Sequence, residues 1–345
     1  MAFLERLPKW VIVIPLTIQW LILSLRYGSA SLPSSANPHI TAGGLVGEGK
    51  MEYFRCMGPL GQQITAASIA FVVLPHSTTE DASIGIEKAH LQFPLIAKPD
   101  LGLCGFGVRR IDSPAGLAEY LAAFPSGERV VFQAYVDCER EAGIFYARSP
   151  GQSSGRIIGL ALRYFPQVTG DGCSTLDTLI AADVRLHRLT RDPLHRAEHV
   201  GGNIPAAGEV VRLATIGSTR VGGLYRDGGA LITPALTAAI DAIALEMGEF
   251  HFGRFDVRYS SDEALMAGQG FTIIEVNGAG SEAIEAWDPA MQPLAAFRRI
   301  FSKQALLFKI AAANRKRGFR PIGLRLLAKL HFRQQALIDR YPPSN

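Results

Sequence analysis

The stretch Phe93-Pro-Leu-Ile-Ala-Lys98-Pro-Asp-Leu-Gly102-Leu-Cys-Gly105-Phe-Gly107 delivers one ammonium at the end of an apolar run, with three glycines directly after it. Phe93 to Ala97 reads as a buried strand. Lys98 at its end can meet a phosphate. Gly102, Gly105 and Gly107 let backbone N–H groups approach a polyphosphate closely. The order is not that of a P-loop, because the lysine precedes the glycines, and G-x-x-G-x-G is not the dinucleotide fingerprint. Taken alone, the stretch fits an unliganded glycine-rich hairpin equally well.

A second pair of segments supplies hard oxygen donors. Phe252-Gly-Arg254-Phe-Asp256-Val-Arg258 and Phe271-Thr-Ile-Ile-Glu275-Val-Asn277-Gly-Ala-Gly-Ser281 both alternate as strands do. Glu275 and Asn277 are two apart and share a face. Side by side, the two strands would set Asp256 opposite that pair. Magnesium takes such a group, with phosphate oxygens completing its shell. Val257, Ile273, Ile274 and Val276 mark the strands as buried, and buried carboxylates without a cation are expensive. Arg258 shares the face of Asp256, where it would meet phosphate, an acidic substrate or a nearby carboxylate.

Together these segments resemble the ATP-grasp superfamily, in particular D-alanine–D-alanine ligases and the ATP-grasp domain of cyanophycin synthetase. The likeness covers roughly residues 85–293. It implies that Lys98 holds ATP phosphates and that Gly102, Gly105 and Gly107 lie in a mobile loop over them. Phe132-Gln133-Ala-Tyr135-Val136 looks like the hinge whose backbone meets adenine. An acidic residue on the ribose hydroxyls falls at Glu139 or Glu141, with Glu141 preferred. Arg163, ahead of Gly170-Asp171-Gly172, matches a second phosphate contact. Asp256, Glu275 and Asn277 match the ligands of Mg2+, with Mn2+ as a substitute. Arg254 matches an arginine that stabilises an oxyanion, and Ser281 and Arg258 fall where substrate would lie. Cys104 departs from the polar or basic residue usual in the loop.

The implied fold is α+β: two α+β subdomains clasping ATP, at residues 51–137 and 138–297. An apolar segment and Gly/Pro/Ser-rich linker (1–50) precede them, and a basic helical tail (298–345) follows. The implied activity is an ATP-dependent carboxylate–amine ligase that forms an amide through an acylphosphate, on an amino acid, peptide or related amine. ATP-dependent phosphotransfer to a hydroxyl, and membrane-associated ATP binding without turnover, stay open as alternatives.

Elements can be placed around these residues. Helices are expected over 114–124, from 175 to 182, and over 234–247 with Thr233 as N-cap. Strands are expected over 130–136, 141–148, 156–165 and 210–213, with short strand material at Leu231. His187, His195 and His199 lack the spacing of a compact metal motif and read as solvated loop residues, with a substrate contact by one of them as the alternative; Arg212 and Arg220 lie in the same glycine-rich region. Gly43-Gly44-Leu-Val-Gly47-Glu48-Gly49-Lys50 offers backbone N–H groups to an anion, but turn chemistry before a helix accounts for it better.

The 345 residues suffice for two or three subdomains, and four scattered cysteines argue against a disulfide scaffold or a zinc site. A reduced cytoplasmic setting follows. The net charge of +4 conceals an asymmetry: from Arg298 onward there are twelve Lys or Arg and one acid, so the tail carries +11 and the rest −7. Leu306, Leu307, Ile310, Leu324, Leu327 and Phe332 interleave with those charges, as in basic amphipathic helices broken near Gly318 and Pro321. Trp10 to Leu25 is almost wholly apolar, with Arg6, Lys9 and Arg26 around it. It imitates a signal peptide, yet export would separate an ATP enzyme from its nucleotide. A peripheral contact with an anionic membrane on the cytoplasmic side through the termini is one expectation; the other is that the apolar segment covers the body as a buried helix and the tail packs on it as a helical pair with a solvated basic face. Nucleic acid is not expected as a partner, because the basic tail lacks the pattern of exposed aromatics.

Overall fold

A computed structural model describes residues 2–186 and 202–344 of the chain. His187, His195 and His199 lie outside the described residues. The chain opens with α1 (Phe3–Arg6) and α2 (Lys9–Tyr27). Helix α2 runs through Pro15, a residue that ordinarily kinks or starts a helix, and ends at Gly28, which caps it at φ 71°. Only one intrahelical bond is lost there, near the first turn, and packing of one face offsets it.

The stretch from Gly28 to Lys50 is woven into the body rather than hung outside it. Asn37 is fully buried. Its Nδ2 donates to the carbonyls of Gly43 and Phe252 at 2.8 Å each, and its Oδ1 accepts from the amides of His251 (2.8 Å) and Phe252 (3.0 Å). Four bonds from one amide fix this loop against the start of a distant strand. Helices α3 (Lys50–Cys56) and α4 (Pro59–Gln63) follow.

The first antiparallel sheet comprises β1 (Ser68–Val72), β2 (Leu95–Pro99), β3 (Arg109–Ile111) and β4 (Arg129–Ala134), in the order β1-β4-β2-β3. Helices α5 (Thr79–Lys88) and α6 (Pro114–Ala123) cover one face, with Ile86, Leu117 and Tyr120 against Leu95, Ala97, Val130 and Phe132. Thr78 and Ser113 cap these helices by accepting from Asp81 N–H and Gly116 N–H. The strand around Lys98 therefore starts at Leu95, two residues later than its apolar run.

The second sheet contains β5 (Arg140–Ala147), β6 (Arg156–Tyr164), β9 (Leu224–Asp227), β10 (Phe252–Tyr259) and β11 (Phe271–Asn277), in the order β11-β10-β5-β6-β9. A separate ribbon pairs β7 (Gln167–Thr169) with β8 (Val210–Arg212), beside α7 (Leu176–Ala182). Leu231 lies in a 3-10 turn, not a strand. Helix α8 (Pro234–Glu246), capped by Thr233, puts Leu236, Ile240 and Ile243 under the sheet against Ile144, Tyr146, Phe255 and Val257. After α9 (Asp262–Met266) and β11 come α10 (Pro293–Lys316) and α11 (Leu324–Ile338). Helix α2 lies along α10, with Trp20 edge-on to Phe308 at 4.9 Å and Gln19 Nε2 donating to Phe301 O. The two sheets meet where Ile273 bonds through its backbone to Ile64 and Ala66.

Candidate active site

Strand alternation decides which side chains leave the core. On β10, Phe255, Val257 and Tyr259 face α8, so Arg254, Asp256 and Arg258 face the other way. On β5 the register sets Gly143 beside Asp256 and Glu141 beside Arg258. Gly143 is a requirement: a Cβ there would stand 2.9 Å from Arg254 Cδ and 3.2 Å from Asp256 Oδ1. Across β10, Asp256 pairs with Glu275 and Arg254 with Asn277. The register slips between Asp256 and Val257, a bulge that leaves Ile273 and Val276 in the core and Glu275 on the polar face. Beside it, the carbonyl of Ile274 accepts from Lys98 Nζ at 2.9 Å. The bulge thus brings the lysine of the first sheet to the carboxylates of the second.

Asp256 is fully buried and gripped on both oxygens. Arg254 Nε lies 2.5 Å from Oδ1 and Nη2 2.9 Å from Oδ2; Arg163 Nη1 reaches Oδ2 at 3.3 Å, and Asn277 Nδ2 donates to it at 3.2 Å. Glu141, also buried, holds Arg163 at 2.7 Å and Arg258 at 3.0 Å. Glu275 faces Lys50 Nζ at 3.3 Å. Burial opposes its ionisation, but Lys50, Lys98, Arg254 and Arg163 outweigh that and hold its pKa at about 2. Lys98 donates to Gln133 Oε1 at 2.8 Å, and its burial pulls its pKa down to about 8. Five cations (Lys50, Lys98, Arg163, Arg254, Arg258) thus surround three carboxylates (Glu141, Asp256, Glu275), an excess of two positive charges while Glu48 beside Lys50 is protonated and of one when it is ionised. Around them Arg163 Nε, Ser281 Oγ and Glu48 Oε2 are buried polar atoms with no hydrogen-bond partner among the described residues.

No family model matches this chain, and no curated protein matches its sequence. Among solved structures, a bifunctional glutathione synthetase from Pasteurella multocida is similar to it at 15% identity and a TM-score of 0.36, covering 74% of this chain and 36% of that one. A D-cycloserine synthetase, DcsG, is similar at 14% identity and a TM-score of 0.39, covering 77% of this chain and 69% of that one. The chain thus spans only about a third of the length of the first of these. Both likenesses are distant, and the chemistry of the site rests on its own residues.

Lys98, Arg163, Arg254, Asp256, Glu275 and Asn277, widely separated in sequence, converge on one face. The likeness placed the backbone of Gln133 on adenine, but here that backbone lies inside the ladder between β1 and β2, and its side chain bridges Lys98 and Ser68 Oγ. Tyr135 and Val136 lie beyond the end of β4, with Arg110 over the Tyr135 ring at 4.6 Å. Glu141, preferred for the ribose, has both oxygens committed to arginines; Glu139, the other acid the likeness offered, is exposed. Asp171 is spent on the backbone and hydroxyl of its own turn, accepting from Cys173 N–H, Ser174 N–H and Ser174 Oγ. Sequence reading gave Lys50 and Glu48 no role. Their signal was the Gly47-Glu48-Gly49-Lys50 run, which was read as plain turn chemistry. Burial followed by the charges of Glu52 and Glu275 pushes Glu48 up to about 7.

Among the described residues no three His, Cys, Asp or Glu side chains gather as a metal site. Asp256 and Glu275, paired in register with Asn277 alongside, form a two-carboxylate set instead. The donor types are those magnesium takes, with phosphate oxygens and water completing its shell, but both oxygens of Asp256 are held by Arg254 and Arg163 here, so a metal would have to displace those guanidinium groups.

Proposed function

We propose that this chain is an ATP-dependent carboxylate–amine ligase acting on a small amino acid, a peptide or a related amine. The observation that carries the reading is the excess of cations around a facing carboxylate pair, beside a glycine loop. A site with surplus buried positive charge calls for a polyanion, and the carboxylates within it call for a metal accompanying that polyanion. Lys98 and Lys50 would take phosphate oxygens from one side and Arg163 from the other. Asp256, Glu275 and Asn277 would hold Mg2+, which supplies charge neutralisation between phosphates. Glu139 would meet the ribose.

The substrate carboxylate oxygen attacks the γ-phosphorus, and the bond to the β-bridging oxygen breaks with its electron pair leaving on ADP. The amine nitrogen then attacks the acyl carbon. The carbon–oxygen bond to phosphate breaks, phosphate departs, and the nitrogen sheds a proton to solvent or to that phosphate. Arg254, lying over this face with Nη1 toward Glu282 O, would steady the tetrahedral oxyanion, and Ser281 would orient the carboxylate. The protein acts by positioning and by preorganised charge.

The test is ADP and phosphate release from Mg-ATP with pooled amino acids, resolved into subsets. Release that needs two partners, with an amide product, is expected. Glu275→Gln should lower turnover at least about a hundredfold and, by removing a carboxylate that four cations stabilise, also lower the melting temperature, with circular dichroism confirming that the chain is still folded at the assay temperature. A phosphorylated hydroxyl as product, or undiminished turnover in Glu275→Gln, would overturn the reading.

We also propose that α2 seats the enzyme on a lipid surface. Trp10, Val13, Ile14, Ile18, Leu21, Ile22 and Leu25 recur at helical spacing and are 50–84% exposed. Residues 9–27 contain no acid, and Arg6 and Arg26 stand at either end. Trp10–Tyr27 is long and apolar enough to cross a membrane, but its other face is packed on α10. A helix lying flat in the interface suits both facts.

A further inference from the structure

The tail that sequence marked as a basic amphipathic appendage reaches the glycine loop. Leu337 and Tyr341 join the core of the first sheet, where the Tyr341 ring stacks on Phe124 at 5.5 Å, and Leu330 packs over Gly47. From that anchorage, three side chains donate to carbonyls of the loop between β2 and β3. Tyr341 Oη donates to Leu101 O at 2.7 Å, Gln334 Nε2 to Gly102 O at 3.0 Å, and Ser344 Oγ to Gly105 O at 2.8 Å. From the opposite sheet's side, Arg220 donates to Cys104 O at 3.3 Å and to Gly105 O at 3.2 Å, lies over the Phe106 ring at 4.3 Å, and bonds Ser344 Oγ at 2.9 Å.

The amides of the loop are left over. Phe106 N–H and Val108 N–H bond back within it, but those of Gly102, Leu103, Cys104 and Gly105 make no hydrogen bond among the described residues. Cys104, Gly105 and Gly107 take φ of 48°, 75° and 70°. Left-handed residues within a tight turn let successive amides point to one side, as in an anion-binding turn. A Cβ on Gly102 would stand 2.9 Å from Lys50 Nζ, so the cation of the candidate site borders the loop. A peptide whose carbonyl is claimed on one side presents its N–H to the other.

We propose that Gln334, Tyr341 and Ser344 are positioning residues for the nucleotide: Tyr341 and Gln334 claim the carbonyls opposite the Gly102 and Leu103 amides and so aim those amides at the phosphates, while Ser344 fixes the Gly105 end of the loop, whose own peptide N–H, on Phe106, bonds to Leu103 O. The inference rests on the ATP reading above, and its claim is that the C-terminal segment is part of the phosphate site although none of its residues touches phosphate. Tyr341→Phe removes one hydroxyl and keeps the stacked ring, and Ser344→Ala and Gln334→Leu likewise keep volume. In the full chain, the triple variant should bind Mg-ATP about tenfold more weakly, the loss of one well-made hydrogen bond's worth of order, while adenosine affinity and melting temperature hold. Tyr341→Phe alone, the mildest change, should move ATP affinity in the same direction. Amide exchange at residues 102–105 should quicken in the triple variant. Equal ATP affinity in wild type and triple variant, or a parallel loss of adenosine and ATP, would overturn the inference and leave the ligase reading standing. A wild-type chain that binds neither ATP nor inorganic triphosphate would end both.

Discussion

Lys98 sits where burial and function pull its proton in opposite directions. The apolar surroundings and the Ile274 carbonyl enclose an ammonium whose pKa falls to about 8, and a phosphate beside it would raise that value again. Binding of a polyanion then takes up a proton wherever the free site is deprotonated. Affinity for Mg-ATP should be level below pH 8 and should fall by up to tenfold per pH unit above it. Lys98→Met should bind weakly with a flat profile. A wild-type profile that is flat between pH 7 and 9.5 would separate Lys98 from the phosphates. The residue types were legible in the sequence here, because a lysine at a strand end and carboxylates on alternating strands carry their chemistry in their spacing. The partners of those residues were not. Whether an acid like Glu141 is free or locked between two arginines depends on contacts between strands that are adjacent only in the sheet.

At the scale of elements, local signals located the strands and helices, and tertiary contacts decided what the loops were for. Alternation in β10 and the cap at Thr233 were visible from neighbouring residues alone. The bulge between Asp256 and Val257 was not, since it belongs to the pairing of β10 with β11 rather than to either strand. Nor was the inward course of the Gly28–Lys50 stretch, whose glycines read as linker composition. Two of them are there for contact: Gly44, at φ 75°, lies against Gly278, and a Cβ on Gly44 would meet Gly278 Cα at 2.6 Å. The amides of Ala279 and Gly280 bond to the carbonyls of Gly43 and Gly44. This contact brings Lys50 to Glu275. Gly44→Ala should therefore destabilise the fold by about 2–4 kcal/mol, read by chemical denaturation. The comparison variant Gly127→Ala also replaces a glycine at positive φ, 85°, but in open space. It should lose only about 1 kcal/mol. Equal losses would mean that the Gly44 contact adds nothing beyond backbone strain.

For the whole molecule, the two termini divide the roles that sequence gave them jointly. The C-terminal helix α11 has a partner in the glycine loop, while α2 keeps an apolar ridge in the open. That ridge is not an artefact of composition: Leu16, Trp20 and Leu23 of the same helix pack against α10 and its surroundings, and the exposed set occupies the remaining side. A contiguous apolar stripe on an otherwise well-packed protein asks for a covering surface. The absence of acids in residues 9–27 favours an anionic one over a neutral protein face. Seated there, the chain would keep its two sheets and the candidate site outside the bilayer, since α2 packs on α10 and on the turn that holds Ala283 and Ala286. Sedimentation with vesicles containing phosphatidylserine should recover the full chain. Ile14→Asp/Ile18→Asp/Leu21→Asp should abolish recovery and leave ATP turnover in solution unchanged, because all three are at least half exposed and lie outside the candidate site. Reversing charge at the ends, Arg6→Glu/Arg26→Glu, should weaken binding to anionic vesicles more than to phosphatidylcholine alone. If the wild type stays in the supernatant and instead sediments as a dimer that the three aspartates dissociate, the ridge is covered by a second copy and the lipid assignment fails.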